Sequence, residues 1–208
     1  MAAAARVNRA LRRLPVWPVH LGNAGWAGWL FWQALSGALG PDPVRALVNG
    51  YGEGALWLLI AGLAITPLWR FCGINLVRFR RAIGLSCFFL MTAHLLFWAA
   101  LDAQTLARIW ADITGRPYIT VGMVGFLLLV PLAATSNDLS VRRLGSAWRR
   151  LHRLVYPAAV LSVLHYLMLV KGWQMKPVVM FALVIILLGL RLPFLTRVRR
   201  AAKVARYP

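Results

Sequence analysis

Four histidines stand in a sequence of 208 residues that holds only five acidic side chains. All four fall in or at the edge of long apolar runs. His94 lies in MTAHLLFW, late in the third run, and His165 lies late in the fifth. An ionisable side chain inside a membrane is costly without a partner, so each is a candidate site. One such histidine alone is satisfied by an interhelical hydrogen bond to backbone or to a hydroxyl. Two neutral imidazoles at matching depth on two helices can do more, because together they can fill both axial positions of a heme iron. Cys87, Met91 and Trp98 near His94, and Ala158, Leu161 and Ser162 near His165, are flat or small neighbours that suit a porphyrin slot. The scarcity of carboxylates in the apolar runs argues against a proton relay. Cys72 and Cys87 form neither CxxC nor CxxCH, so the expected heme is held without a covalent link.

His152 begins the fifth run, 13 residues before His165. In a helix that separation is about 20 Å along the axis and roughly 140° around it. The distance suits two hemes stacked across a bilayer; the angle does not, unless Pro157 rewinds the helix or another element supplies the second inner ligand. His20, early in the first run, is the remaining histidine. It reads first as an interfacial side chain packed among Gly22, Gly25 and Gly28, and second as that missing ligand.

The elements that would position these residues are helices. The chain is 61% hydrophobic and 14% charged, well short of the quarter or so of charged positions usual in a soluble domain. Lipid offers no partner to a free amide, so spans of about 20 apolar residues must be helical. Six segments qualify: Trp17 to Leu39, Gly54 to Trp69, Ala82 to Leu101, Tyr118 to Ala134, His152 to Val170 and Pro177 to Leu195. The expected fold is therefore an all-α, polytopic six-helix membrane bundle. Residues 1–16 form an N-terminal segment, 17–195 the bundle and 196–208 a basic tail. Arg12 and Arg13 lack the rest of a twin-arginine signal, and the first apolar run lacks a convincing cleavage site, so it reads as a retained span.

A net charge of +19 would suggest nucleic acid in a soluble protein. Here the basic residues fall between apolar runs and report topology instead. With the N-terminus inside, Arg6, Arg9, Arg12, Arg13, Arg70, Arg78, Arg80, Arg81, Arg142, Arg143, Arg149, Arg150, Arg153, Arg191, Arg197, Arg199, Arg200, Lys203 and Arg206 are all cytoplasmic, together with Asp138. Arg45, Arg108, Arg116, Lys171 and Lys176 fall outside with Asp42, Glu53, Asp102 and Asp112. Both termini are then cytoplasmic, and His94 and His165 lie in the outer leaflet. Trp17, Trp69, Trp98, Trp110, Trp148 and Trp173 near the span ends read as interfacial anchors. No connection carries GxGxxG or a P-loop, so a nucleotide-binding dehydrogenase module must be on another chain.

The H-x12-H of LHRLVYPAAVLSVLHY, the stretch MTAHLLFW, and the flanks ITPLWR, RFRRAIGL and TGRPYITVG resemble the MsrQ (YedZ) family. Those proteins are heme-binding membrane subunits of the bacterial periplasmic methionine-sulfoxide reductase system, related to the ferric-reductase-like transmembrane domain. The resemblance covers nearly the whole chain. It implies heme b, one or two per chain, with His94 and His165 as the outer pair and His152 as an inner ligand. It implies FMN as a further cofactor, a cytoplasmic flavin reductase or membrane quinol as donor, and a periplasmic molybdopterin-containing reductase as acceptor, all at the bacterial inner membrane. The wider superfamily has a histidine 14 residues before the outer one; here Arg80 stands there. Arg78, Arg80 and Arg81 could hold heme propionates or a flavin phosphate, since guanidinium suits oxyanions, or simply retain their loop inside. The rival functions are a stand-alone ferric or quinone reductase and, from another class, a proton-coupled transporter.

Overall fold

A computed structural model describes residues 2–170 and 174–191. Lys171, Trp173, Leu195, Arg197, Arg199, Arg200, Lys203, Arg206 and the expected tail at 196–208 lie outside the described residues. Among the described residues the chain is all helix, with no strand. In order, the helices are α1 (Ala2–Arg13), α2 (Trp17–Leu35), α3 (Pro43–Pro67), α4 (Arg80–Phe97), α5 (Leu106–Gly115), α6 (Pro117–Ala134), α7 (Asp138–Leu144), α8 (Ser146–Leu151), α9 (Val155–Leu169) and α10 (Met175–Gly189). A π-turn continues α3 through Leu68–Cys72 and another continues α4 through Trp98–Ala103; 3-10 turns precede α4 and α9.

Local chemistry sets the helix starts. The Asp42 carboxylate accepts from the Arg45 amide at 3.0 Å, and Pro43 takes the first turn of α3, where its missing N–H costs nothing. Thr105 and Asn137 cap α5 and α7 in the same way. Gly73, at φ +72°, turns the chain out of the first π-turn, a backbone region that glycine enters without strain.

Cross-contacts fix the sense of each long helix. Arg80 meets Thr66 and His94 meets Val48, so α3 and α4 are antiparallel. Tyr118 meets His165 and Thr135 meets His152, so α6 and α9 are too. Lys176 with Glu53, and Arg191 with Leu63, run α10 alongside α3. Two antiparallel pairs, α3 with α4 and α6 with α9, thus make the bundle, with α10 against α3 and α9 and α2 against α3 and α4. One end carries His94 and His165; the other gathers the arginines.

Packing relies on small side chains. Ala55, Ala158 and Ala159 are fully buried, and a Cβ on Gly125 would already touch Leu161 at 3.4 Å. Close backbone approach is what holds helices together where lipid removes any hydrophobic drive between them. The core joins Leu47, Leu59 and Leu63 of α3 to Leu90 of α4, Val163 of α9 and Met180 of α10. Outside, Leu21, Trp32, Leu35, Leu96, Leu127 and Ile186 are exposed, a belt that water would solvate poorly.

Three of the six expected spans coincide with helices long and apolar enough to cross a bilayer: Pro43–Cys72, Val77–Ala103 and Pro117–Ala134. In α2 the run of apolar residues is diluted by His20, Asn23 and Gln33, and α9 and α10 are 15 residues each as described. Trp17, Trp69 and Trp110 are exposed, as anchors would be, whereas Trp148 turns inward and donates from Nε1 to the Thr135 carbonyl at 2.9 Å.

Candidate functional site

His94 projects from α4 and His165 from α9, and each is aimed by a carbonyl of its partner helix. His94 Nδ1 lies 2.8 Å from the Val48 carbonyl oxygen of α3; His165 Nδ1 lies 2.7 Å from that of Tyr118 on α6. A carbonyl only accepts, so Nδ1 carries the proton in both rings and Nε2 keeps its lone pair. This arrangement orients metal-bound imidazoles, the second nitrogen fixing tautomer and tilt.

One turn beyond each acceptor stands a glycine. A Cβ on Gly52 would come 2.9 Å from His94 Nδ1, and one on Gly122 would come 2.7 Å from His165 Nδ1. A helical side chain overhangs the turn before it, so a residue four positions on would cover the carbonyl the histidine uses. Val48 with Gly52 and Tyr118 with Gly122 are thus two copies of one device. The sequence reading missed both glycines; the signal was a glycine in an apolar run at the depth of each histidine.

The two ring centroids are 6.3 Å apart with planes at 80°. Two metal–nitrogen bonds of about 2 Å each, with the ring radii added, span roughly 6 Å. Around the rings is a cavity of about 980 Å³, walled by Leu56, Met91, Ile119 and Phe126. That is at the upper end of the range for cofactor sites, about 300–1,000 Å³. Arg45 and Arg116 stand at its polar rim, and Lys176 Nζ meets Glu53 Oε1 there at 2.6 Å. No cluster of three or more His, Cys, Asp or Glu that could hold a metal ion occurs among the described residues. Two imidazoles that each keep an unprotonated Nε2, beside an apolar-walled cavity whose polar lining holds Arg45, Arg116 and Lys176 together with Asp42, Glu53 and Asp102, fit an iron porphyrin.

The other candidates lie elsewhere. His152 Nε2 is 3.2 Å from Thr135 Oγ1, and its ring stacks on Trp148 with centroids 3.9 Å apart. It sits on a 3-10 turn, His152–Leu154, ahead of Pro157. At three residues per turn such a segment adds rotation and closes part of the 140° gap between His152 and His165. His20 is exposed on α2, 3.4 Å from Ser86 Oγ. Among the described residues no second imidazole is in ring contact with either.

The three arginines already have protein partners. Arg78 Nη1 donates to the carbonyls of Leu11 and Arg12, Arg80 Nη2 to Thr66 Oγ1 at 2.5 Å, and Arg81 to Asp138 at 2.7 Å. The Arg81 hydrogen bond holds the Asp138 carboxyl below its usual range. Arg191, which the sequence reading counted only for topology, reaches the Leu63 carbonyl at 2.6 Å and lies over the Tyr156 ring.

Comparison with known proteins follows the same residues. Residues 47–163 match the family described as ferric reductase like transmembrane component. Protein-methionine-sulfoxide reductase heme-binding subunits MsrQ of Brucella ovis, Brucella canis and Brucella suis are each 42% identical over 190 residues, 90% of this chain and 86% of theirs. The chain belongs to the MsrQ family. It is accordingly a membrane protein whose helices form a ferric-reductase-like transmembrane domain. The ferric-reductase match takes in Val48, Gly52, His94, Tyr118, Gly122 and His152 and ends two residues before His165; the 190-residue MsrQ alignments are longer than that match. No solved structure matches the chain.

Proposed function

We propose that the chain is the heme-binding membrane subunit of a methionine-sulfoxide reductase and carries electrons across the bacterial inner membrane. His94 and His165 would hold a b-type heme through Nε2, and the single observation that carries this is that two carbonyl-anchored imidazoles on different helices stand with ring centroids 6.3 Å apart. In this reading α2, α3, α4, α6, α9 and α10 are six spans within residues 17–195, with residues 1–16 and 196–208 in the cytoplasm. The charge distribution supports that orientation, which puts the histidine end at the periplasmic face.

When bound, heme supplies a one-electron ferric/ferrous couple. The Val48 and Tyr118 carbonyls keep both imidazoles in one tautomer and orientation, so little rearrangement would accompany a change of charge. Arg45 and Arg116 at the rim would hold the propionates. With both histidines committed to holding the heme, the subunit would serve as a carrier, and the sulfoxide chemistry would belong to a periplasmic molybdopterin partner. Electrons enter at the basic end from a cytoplasmic flavin reductase, with FMN on the donor side, or from membrane quinol.

The test is the heme content of purified protein. Wild type should show reducible b-type bands, and His94→Ala and His165→Ala should each lose most of them. Well-folded wild type that stays colourless when supplied with hemin would refute the assignment.

A further inference from the structure

A second cavity, of about 700 Å³, opens at the basic end between α1 and the connection that follows Gly73. It is lined by Asn8, Arg9, Arg12, Asn75 and Arg78, with Ala5 and Val77. The groove is built. Asn8 donates from Nδ2 to the Gly73 carbonyl at 2.8 Å and accepts from the Asn75 amide at 2.9 Å, which clamps α1 across 65 residues of chain. Arg78 Nη1 donates to Leu11 and Arg12, satisfying carbonyls that the end of α1 leaves open. A guanidinium has five donors, so the rest of the Arg78 fork remains for an oxyanion.

Every charged residue lining this groove is a cation. Of the five acids in the chain, Asp138 is bound to Arg81, and Asp42, Glu53, Asp102 and Asp112 stand at or near the histidine end. α1 also exposes apolar side chains. Val7 on α1 and Leu14 just past its end are 41% and 52% exposed, and Trp17 at the start of α2 is 60% exposed. Arginines beside exposed apolar side chains, on a helix whose next element enters the apolar belt, describe a helix lying in the headgroup layer. An acidic protein surface would account for the arginines but not for Val7, Leu14 and Trp17.

We infer that the groove between α1 and Asn75–Arg78 binds the phosphate of an anionic phospholipid, with Arg9, Arg12 and Arg78 as its ligands. The site would anchor α1 to the inner leaflet and brace the connection that leads into α4, the helix bearing His94. It depends on the membrane placement of the spans and not on heme.

Native mass spectrometry and thermal unfolding of the detergent-purified full chain test it, with phosphatidylglycerol and phosphatidylcholine as probes. Wild type should retain phosphatidylglycerol in preference and unfold at higher temperature with it. Arg9→Gln/Arg12→Gln should lose that preference, by roughly fivefold per arginine removed. Arg142→Gln/Arg143→Gln, which removes two exposed cations of α7 instead, should keep it. The single variant Arg9→Gln provides a milder reading of the same loss. Heme content should stay at the wild-type level throughout, which separates this test from that of the heme assignment. Equal retention of the two lipids by wild type, a preference that survives in Arg9→Gln/Arg12→Gln, or one lost equally in the α7 variant would overturn the site. Displacement of the lipid by millimolar inorganic phosphate would reassign it to a free phosphate.

Discussion

Gly122 lies against the His165 ring so closely that a Cβ would sit 2.7 Å from Nδ1. That nitrogen is also the one bonded to the Tyr118 carbonyl, one turn earlier on α6. A methyl at this position must push the ring off its acceptor, and the ring is the second half of the proposed ligand pair. Gly122→Ala should therefore weaken heme retention by about 10- to 100-fold, the range for losing an outer-shell partner of a metal ligand. Helix propensity runs the other way, since alanine is favoured over glycine by about 1 kcal/mol. Reduced heme content in a protein of undiminished helicity is the expected signature. Gly84→Ala, where a Cβ meets nothing within 4 Å, should bind heme as wild type does.

His152→Ala should leave the spectrum of the outer heme in place. Its ring is engaged with Thr135 and Trp148, remote from the His94 and His165 rings. Losing one hydrogen bond and one stack costs on the order of 1–2 kcal/mol, which appears as a lower unfolding temperature. Disappearance of the bis-histidine bands in this variant would contradict the assignment of ligands.

The Glu53–Lys176 pair ties α10 to α3 at the cavity rim, and its contribution depends on pH. The hydrogen bond from Glu53 raises the Lys176 ammonium above its ordinary range, against an opposing effect of burial. A raised lysine stabilises fully below its unfolded value of about 10.4 and loses that contribution as pH climbs through the folded value. The side chains are 57% and 27% exposed, so solvent limits the effect to about 1 kcal/mol or less. Lys176→Met should unfold at a lower temperature than wild type near neutral pH, and the two should converge in strong alkali. A constant gap across that range would show that the pair is not its source.

Orientation can be read from a native thiol. Cys72 is exposed at the end of the first π-turn, at the arginine-rich end, while Cys87 is buried. A membrane-impermeant maleimide should label Cys72 in inverted vesicles and spare it in right-side-out spheroplasts. The opposite pattern would invert the proposed topology.

What the sequence disclosed follows from where charge is expensive. His94 and His165 stood out because few ionisable groups share their apolar runs, and matching depth was enough to pair them. Their anchoring was hidden: the acceptors are backbone carbonyls, which every residue has, and Gly52 and Gly122 matter for what they leave out. Arg78, Arg80 and Arg81 were read as a group for oxyanions or for topology, yet sequence does not reveal that a helix terminus, a threonine and an aspartate already engage them. Residues 1–16 were read as a flanking segment. Asn8, binding Gly73 and Asn75, makes their helix part of the fold, and a contact across so much chain leaves no local trace.

The division of the bundle into two antiparallel pairs bears on biogenesis. His94 belongs to the pair translated first, α3 with α4, and His165 to the pair translated later, α6 with α9. Any group gripped by both rings can be captured only after the ribosome has delivered most of the chain, when the second pair closes on the first. Leu47, Leu59, Leu63 and Leu90 already meet Val163 and Met180 across that seam, so a group held by both rings would add a late link between hairpins that packing has first brought together.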